Sequence, residues 1–255
     1  MQTIEEIWMK EYKNRLTKEE WSRHYNLNIL QNVIRQIQTG DVSVWSEELL
    51  NITEEKEKIL EIGCGSGISS LWLSKHNRKV TALDYSESSV ELIQNAAEIL
   101  EDDQIRVIRA DAMQELPFQE KEFDMAFQSG LLEHFSTEEQ ISLLQLWKKY
   151  CKRIVSMIPN AASVPYRIGK KIQEEKGIWQ YGLETPKSSM KAEFMAAGIT
   201  VEREYSIGSE WALRFLPPNH YIRETYNQML KEGYPLDEYM QGYLLVTIGV
   251  NKERG

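Results

Sequence analysis

Between residues 58 and 158 the apolar positions gather into short runs, separated by longer stretches in which apolar and polar residues mix at helical spacing. The runs fall at 59–62, 80–83, 105–109, 123–128 and 153–158. Each is near-continuous rather than alternating, which predicts strands buried on both faces, hence a parallel sheet between helices. The intervening stretches predict helices at 68–75 and 86–100. A third helix opens at the capping box Thr137-Glu138-Glu139-Gln140 and runs to about Tyr150. Upstream, residues 4–14 carry Ile4, Ile7 and Trp8 on one face. A second capping box, Thr17-Lys18-Glu19-Glu20, predicts a helix to about Gln38, with Trp21, Tyr25, Ile29 and Ile37 on its apolar side and Gly40 as its stop. After Pro159-Asn160 the pattern loosens. Thr185-Pro186 reads as a helix start, with Gly198 ending that helix. Strands follow at 199–207 and 243–250, separated by an excursion over 209–241 that is rich in aromatic residues.

The first run ends in glycines at alternate positions, Gly63, Gly65 and Gly67, before a helix. Glycine reaches φ > 0 and lets the backbone approach a ligand, and the free N–H groups of the helix face that ligand. The dinucleotide fingerprint G-x-G-x-x-G is not met, because the third glycine comes one residue early and Ile68 follows it. Glu61 lies inside the strand end. Asp84 closes the second run, 21 residues after Gly63. There a carboxylate can accept hydrogen bonds from both ribose hydroxyls of a nucleoside. Its alternative duty is to cap the next helix, which Ser86 can do instead.

The pattern E-x-G-x-G-x-G over residues 61–67 resembles the first motif of the class I S-adenosylmethionine (SAM) dependent methyltransferases, and the order of the following segments strengthens the likeness. The resemblance implies an α/β, Rossmann-like, seven-stranded sheet in the order 3-2-1-4-5-7-6. Strand 7 would be antiparallel, with helices on both faces and an N-terminal helical lid. It implies a helical segment over 1–45 and the methyltransferase domain over 46–255, with insertions at about 160–185 and 209–241. Asp111, in Ala110-Asp111-Ala112, would meet the adenine amine. Asp124 opens the fourth strand and would be structural. Gln128 and the residues after it would border the methionine part. The cofactor contacts implied are thus Glu61, Gly63, Cys64, Gly65, Gly67, Asp84, Tyr85, Asp111, Ala112 and Gln128. SAM would be consumed to S-adenosyl-L-homocysteine, with a small-molecule methyl acceptor as partner and a monomer or homodimer as the working state.

SAM presents an electrophilic methyl group, so the protein mainly has to hold a nucleophile in line with the S–CH3 bond. A general base helps when the nucleophile is a hydroxyl or a protonated amine. His134, just after the fourth run, is the candidate catalytic base; packing against the loop is its other use. His24, His220 and the tyrosines of the two excursions are alternative acceptor-side groups. Leu132-Glu133-His134 also resembles the ubiquinone-pathway O-methyltransferases, in which a Glu-His pair and an earlier Glu can hold a divalent ion. The earlier position is Gly130 here, so no metal is expected. Density of Trp and Tyr in the excursions suits a small, partly apolar acceptor.

Composition narrows the partners. A net charge of −9 and a pI near 5.2 disfavour a nucleic-acid substrate. Cys64 and Cys151 are too few for a disulfide framework and fit free thiols in the cytoplasm. No apolar run reaches membrane-span length, and Glu5, Glu6 and Lys10 argue against a signal peptide. The competing readings are a methyltransferase acting on protein or RNA, a nicotinamide-dependent oxidoreductase, and a non-catalytic SAM-binding protein. The lack of an N-P-P-Y motif at the fourth strand counts against N-methylation of a base.

Overall fold

The computed structural model describes residues 15–236 and 240–251. The helix expected over 4–14, with Trp8 and Tyr12, lies outside them. Seven strands form one sheet in the order β3-β2-β1-β4-β5-β7-β6. They are β1 (Lys58–Ile62), β2 (Lys79–Asp84), β3 (Arg106–Arg109), β4 (Phe123–Ser129), β5 (Cys151–Pro159), β6 (Thr200–Ile207) and β7 (Leu244–Val250). The first five run parallel, and β7 inserts antiparallel between β5 and β6. This is the order and polarity implied by the resemblance.

Period-two alternation sets the two faces of each strand. Leu60, Ile62, Ala126 and Ile154 turn one way, into a core with Leu144, Trp147 and Phe194. Ile59, Met125, Phe127, Val155 and Val246 turn the other way, against Leu49 and Leu73. Helices cover both faces: α4 (Ile68–Lys75), α5 (Glu87–Ile99), α6 (Thr137–Trp147) and α8 (Lys191–Ala196) join α2 (Leu30–Thr39) and α3 (Val44–Asn51). Helix α3 was not anticipated. Ser43 caps it by accepting from the Ser46 N–H, and its short, mixed sequence has no clear apolar stripe.

Several boundaries moved for local reasons. Thr17 and Glu20 do form their capping box, but the helix it opens, α1, is only Lys18–Ser22. Asn26 then caps a separate 3-10 turn at Leu27–Ile29, so the chain bends before α2 begins. The box at the start of α6 uses Ser136 and Glu139 instead of Thr137, one residue earlier than expected. Cys151 opens β5. No helix starts at Thr185-Pro186. Thr185 instead donates from both its N–H (2.7 Å) and its hydroxyl (2.8 Å) to the Glu133 carbonyl.

The loose stretch after β5 contains α7 (Val164–Glu175), with Pro165 in its first turn. It packs on the other excursion, which holds α9 (Ser209–Ala212), a 3-10 turn at Leu213–Phe215 and α10 (Tyr221–Lys231). Leu213, Leu216 and Leu236 make a small separate core there with Ile168, Ile222 and Met229. Gly169 permits the approach, since a Cβ on it would lie 2.5 Å from the Phe215 backbone. Among the described residues no helix is long and apolar enough to cross a membrane.

Trp147 is fully buried and donates its indole N–H to the Ala112 carbonyl at 2.8 Å. Trp147→Ala should destabilise the fold by about 3–5 kcal/mol. A lower denaturant midpoint at unchanged m-value is the expected reading; a midpoint equal to the parent's would mean that this core carries no such load.

Candidate active site

The loops at the carboxyl ends of β1, β2, β3 and β4 bring most of the sequence-selected residues together. Gly63, Gly65 and Gly67 all have positive φ (71°, 51° and 69°), so the turn after β1 depends on glycine at each of them. The Gly63 and Cys64 N–H groups both donate to the Leu83 carbonyl, which fastens the turn to β2. Asp84 is buried at this junction. One of its oxygens accepts from the Gly65 N–H (2.9 Å) and the other from the Ser86 N–H (2.9 Å). Each oxygen keeps a further lone pair for a ligand hydroxyl. Ser86 itself caps α5, which leaves Asp84 free of that duty. Burial raises the Asp84 carboxyl above its ordinary pKa, against the lowering effect of the backbone N–H groups.

Glu61 lies beneath the turn and accepts from the Ser70 hydroxyl. Burial pushes its pKa up to about 8; the Ser70 hydrogen bonds oppose this and the nearby Asp84 adds to it. Cys64 is buried too, and its thiol is pushed well above the ordinary range, which makes it a neutral packing group.

Asp111 accepts from the Met113 N–H and from Lys18 Nζ at 2.6 Å. Burial works to raise its pKa, but these two bonds outweigh it and the net shift is downward. The Tyr85 hydroxyl donates to the Lys18 carbonyl, and the Ser88 hydroxyl donates to the Ser22 carbonyl. The Tyr25 ring lies over Gly65, where a Cβ would come within 2.9 Å of it. Residues 15–29 therefore form a strap across the carboxyl edge, whereas α2 packs through Val33 and Ile37 into the core.

Two of the selected residues have polar groups engaged within the protein. The Gln128 amide donates to Ser156, and its oxygen accepts from the Leu131 and Leu132 N–H groups, so its side chain builds the loop after β4. The Ala112 carbonyl is taken by Trp147.

His134 is buried and donates from Nδ1 to the Leu183 carbonyl at 2.6 Å, because a carbonyl can only accept. Burial, with Lys170 and Arg15 nearby, lowers its pKa to about 4 despite that bond. The ring is therefore neutral at pH 7, with a lone pair on Nε2. Nε2 lies 4.0 Å from Glu133 Oε1. Glu133 is buried and its pKa is raised well above normal, by burial first and then by Glu184. Glu184 accepts from the Tyr166 hydroxyl (2.7 Å) and Lys170 Nζ (3.0 Å), both on Oε2.

Sequence reading missed Glu184 as a site residue. It sits in an irregular segment with no periodic or motif signal, and only the fold brings it to His134. Aromatic rings continue this wall. Trp21 meets the His134 ring at 4.8 Å, Tyr181 stacks on His24, and Trp179, Phe215, Tyr166 and Tyr243 follow in contact.

A family model described as a methyltransferase domain matches residues 59–153. No curated protein sequence matches. Solved structures share the fold at low identity. A putative methyltransferase of Haloferax volcanii, solved in complex with the Trm112 methyltransferase activator, is 18% identical with a TM-score of 0.59; the match covers 90% of this chain and 98% of that one. The geranyl diphosphate C-methyltransferase of Streptomyces coelicolor, solved with Mg2+, geranyl diphosphate and S-adenosyl-L-homocysteine, is 12% identical with a TM-score of 0.55, over 82% of this chain and 80% of that one. The [4+2]-cyclase SpnF is 16% identical with a TM-score of 0.57, again over 82% and 80%.

Glu61 binds its proton more tightly in the folded chain (about 8) than in the unfolded one (4.5). Its stabilising contribution is complete below about pH 4.5 and is lost as pH rises toward 8. Glu61→Gln keeps the shape and removes the titration. The variant should gain several degrees in Tm over the parent at pH 8.5 and little at pH 4.5. An equal difference at both pH values would contradict the raised proton affinity.

Proposed function

We propose that this chain is a class I S-adenosylmethionine-dependent methyltransferase that transfers the methyl group to an O or N atom of a small, partly apolar acceptor. The observation that carries the reading is the junction of the glycine turn with a buried Asp84. Its carboxylate has lone pairs left over for two ribose hydroxyls, beside a turn stripped of side chains. These residues fit the cofactor, and Asp111 is spaced for an adenine amine. Bound SAM supplies an electrophilic methyl on a sulfonium. The chain's own contribution is to grip the nucleoside, exclude water and align the acceptor.

In this reading Lys18 on Asp111 and Tyr25 over Gly65 stand where the nucleoside belongs. Residues 15–29 then act as a lid: this strap shifts to admit SAM and closes again over it. Glu61, Gly63, Cys64, Gly67, Tyr85, Ala112 and Gln128 complete the cofactor surroundings, Gln128 by shaping the loop after β4. His134 is the base candidate through Nε2. Its weak proton affinity suits an acceptor that ionises readily, such as a phenol, better than an alkylammonium. The aromatic wall from Trp21 to Tyr243 supports an apolar ring in the acceptor, and the charge of −9 supports a small molecule over RNA.

Calorimetry with SAM, S-adenosyl-L-homocysteine and NAD tests the reading. Micromolar binding of the first two and no response to NAD is the expected result; a preference for NAD would overturn it. Asp84→Ala should weaken SAM binding by roughly 100-fold or more, through two lost charge-assisted hydrogen bonds of about 1.5–3 kcal/mol each. Gly65→Val should abolish binding, since valine is strained at φ 51° and its side chain fills the approach. Parental affinity in both variants would remove the site assignment. His134→Ala separates the roles. A large loss of rate at unchanged SAM affinity supports a base, whereas an unchanged rate excludes one.

A further inference from the structure

Glu133, His134 and Glu184 each offer a ligand atom, and these three atoms lie within 4.8 Å of one another. All three are acceptor groups. His134 spends its only N–H on the Leu183 carbonyl, which aims the Nε2 lone pair toward Glu133. A ring nitrogen fixed in this tautomer by a backbone carbonyl is the usual outer-shell arrangement of a metal-bound histidine. Glu184 has both of its protein donors on Oε2. Glu133 is 98% buried, and its Oε2 has no hydrogen-bond partner. A buried carboxylate 4.0 Å from an imidazole nitrogen, with a second carboxylate close by, is short of positive partners, and a cation among the three would supply one.

We propose that Glu133, His134 and Glu184 bind one divalent first-row metal ion at the carboxyl edge of the sheet. Gly130 supplies no ligand, and the third donor comes from the separate segment after β5. That segment is clipped in place. The Thr185 N–H and hydroxyl both hold the Glu133 carbonyl, and Leu183 holds His134, so the three donors are positioned by backbone rather than by side-chain chance. An ion takes such ligands at about 2.0–2.2 Å, which places neighbouring ligand atoms roughly 3–3.5 Å apart. Contraction by about 1 Å from the present spacing closes the set. Two carboxylates with one imidazole suit Mn2+, Fe2+ or Zn2+, and three protein donors leave positions open for an acceptor oxygen. Lys170, 3.0 Å from Glu184 Oε2, competes for that carboxylate's charge and weakens the site. In the loaded site the Nε2 lone pair belongs to the ion, so the base role proposed above for His134 applies to the ion-free chain.

The proposal does not depend on methyl transfer, and its test needs no SAM. The full chain, stripped with EDTA and dialysed, is titrated with Mn2+ while free Mn2+ is followed by electron paramagnetic resonance, and with Zn2+ by calorimetry. One ion per chain at micromolar Kd is expected. Glu133→Gln and Glu184→Gln should each weaken it at least tenfold while circular dichroism and the SAM isotherm stay as in the parent. Failure to take up a stoichiometric ion at millimolar Mn2+ or Zn2+ would overturn the proposal in favour of a proton shared between the two carboxyls. Uptake that both Gln variants leave unchanged would overturn it as well, since the ion would then sit on surface carboxylates. Because the SAM isotherm is recorded on the same samples, loss of the metal site and loss of the cofactor reading are told apart.

Discussion

One carboxylate joins the ends of β1 and β2. Asp84 receives the Gly65 N–H on one oxygen and the Ser86 N–H on the other, while the Leu83 carbonyl takes two N–H groups from the same turn. The turn after β1 passes through three left-handed glycines, a conformation that glycine reaches freely but does not fix by itself. Without the anchor, the start of α4 would lose its direction relative to the sheet. With it, a side-chain-free turn, a helix N-terminus and a buried acid converge at one point. The strap over residues 15–29 and the loop after β4 are then arranged around that point.

Acidic groups are unusually concentrated beneath this edge. Glu61, Asp84, Glu133 and Glu184 are all largely buried, and burial raises the proton affinity of each. The chain offsets the cost unevenly. Asp84 is given backbone N–H donors, Glu61 a serine, and Glu184 a lysine and a tyrosine. Glu133 Oε2 is given nothing. Buried polar groups are rarely left so without a functional reason. This carboxylate lies beside a neutral imidazole at the carboxyl edge of the sheet.

The two excursions after β5 and β6 are not loose appendages. They share a small core and a close helix approach at Gly169, and they carry most of the aromatic wall. Fold neighbours of different activity, a C-methyltransferase and a [4+2]-cyclase, show that one fold supports several chemistries. The strap and these excursions are also where the sequence is least like a repeating pattern.

The sequence by itself determined the sheet. Buried strands need apolar residues on both faces, and that requirement writes itself into continuous runs such as 59–62 and 80–83. The glycine turn and Asp84 were legible for a similar reason, since few residue types satisfy positive φ or hold two N–H groups at a strand end. Helix limits were less so. The Thr17 box was real but its helix stopped at Ser22, because Asn26 offered the backbone a competing cap. Thr185-Pro186 fitted a helix start, yet Thr185 was claimed by the Glu133 carbonyl. Tertiary structure alone decided that Glu184 meets His134, that Gln128 faces the loop, and that Lys18 and Tyr25 cover the cradle. These are contacts between segments far apart in the chain, set by packing and electrostatics that leave no local period to read.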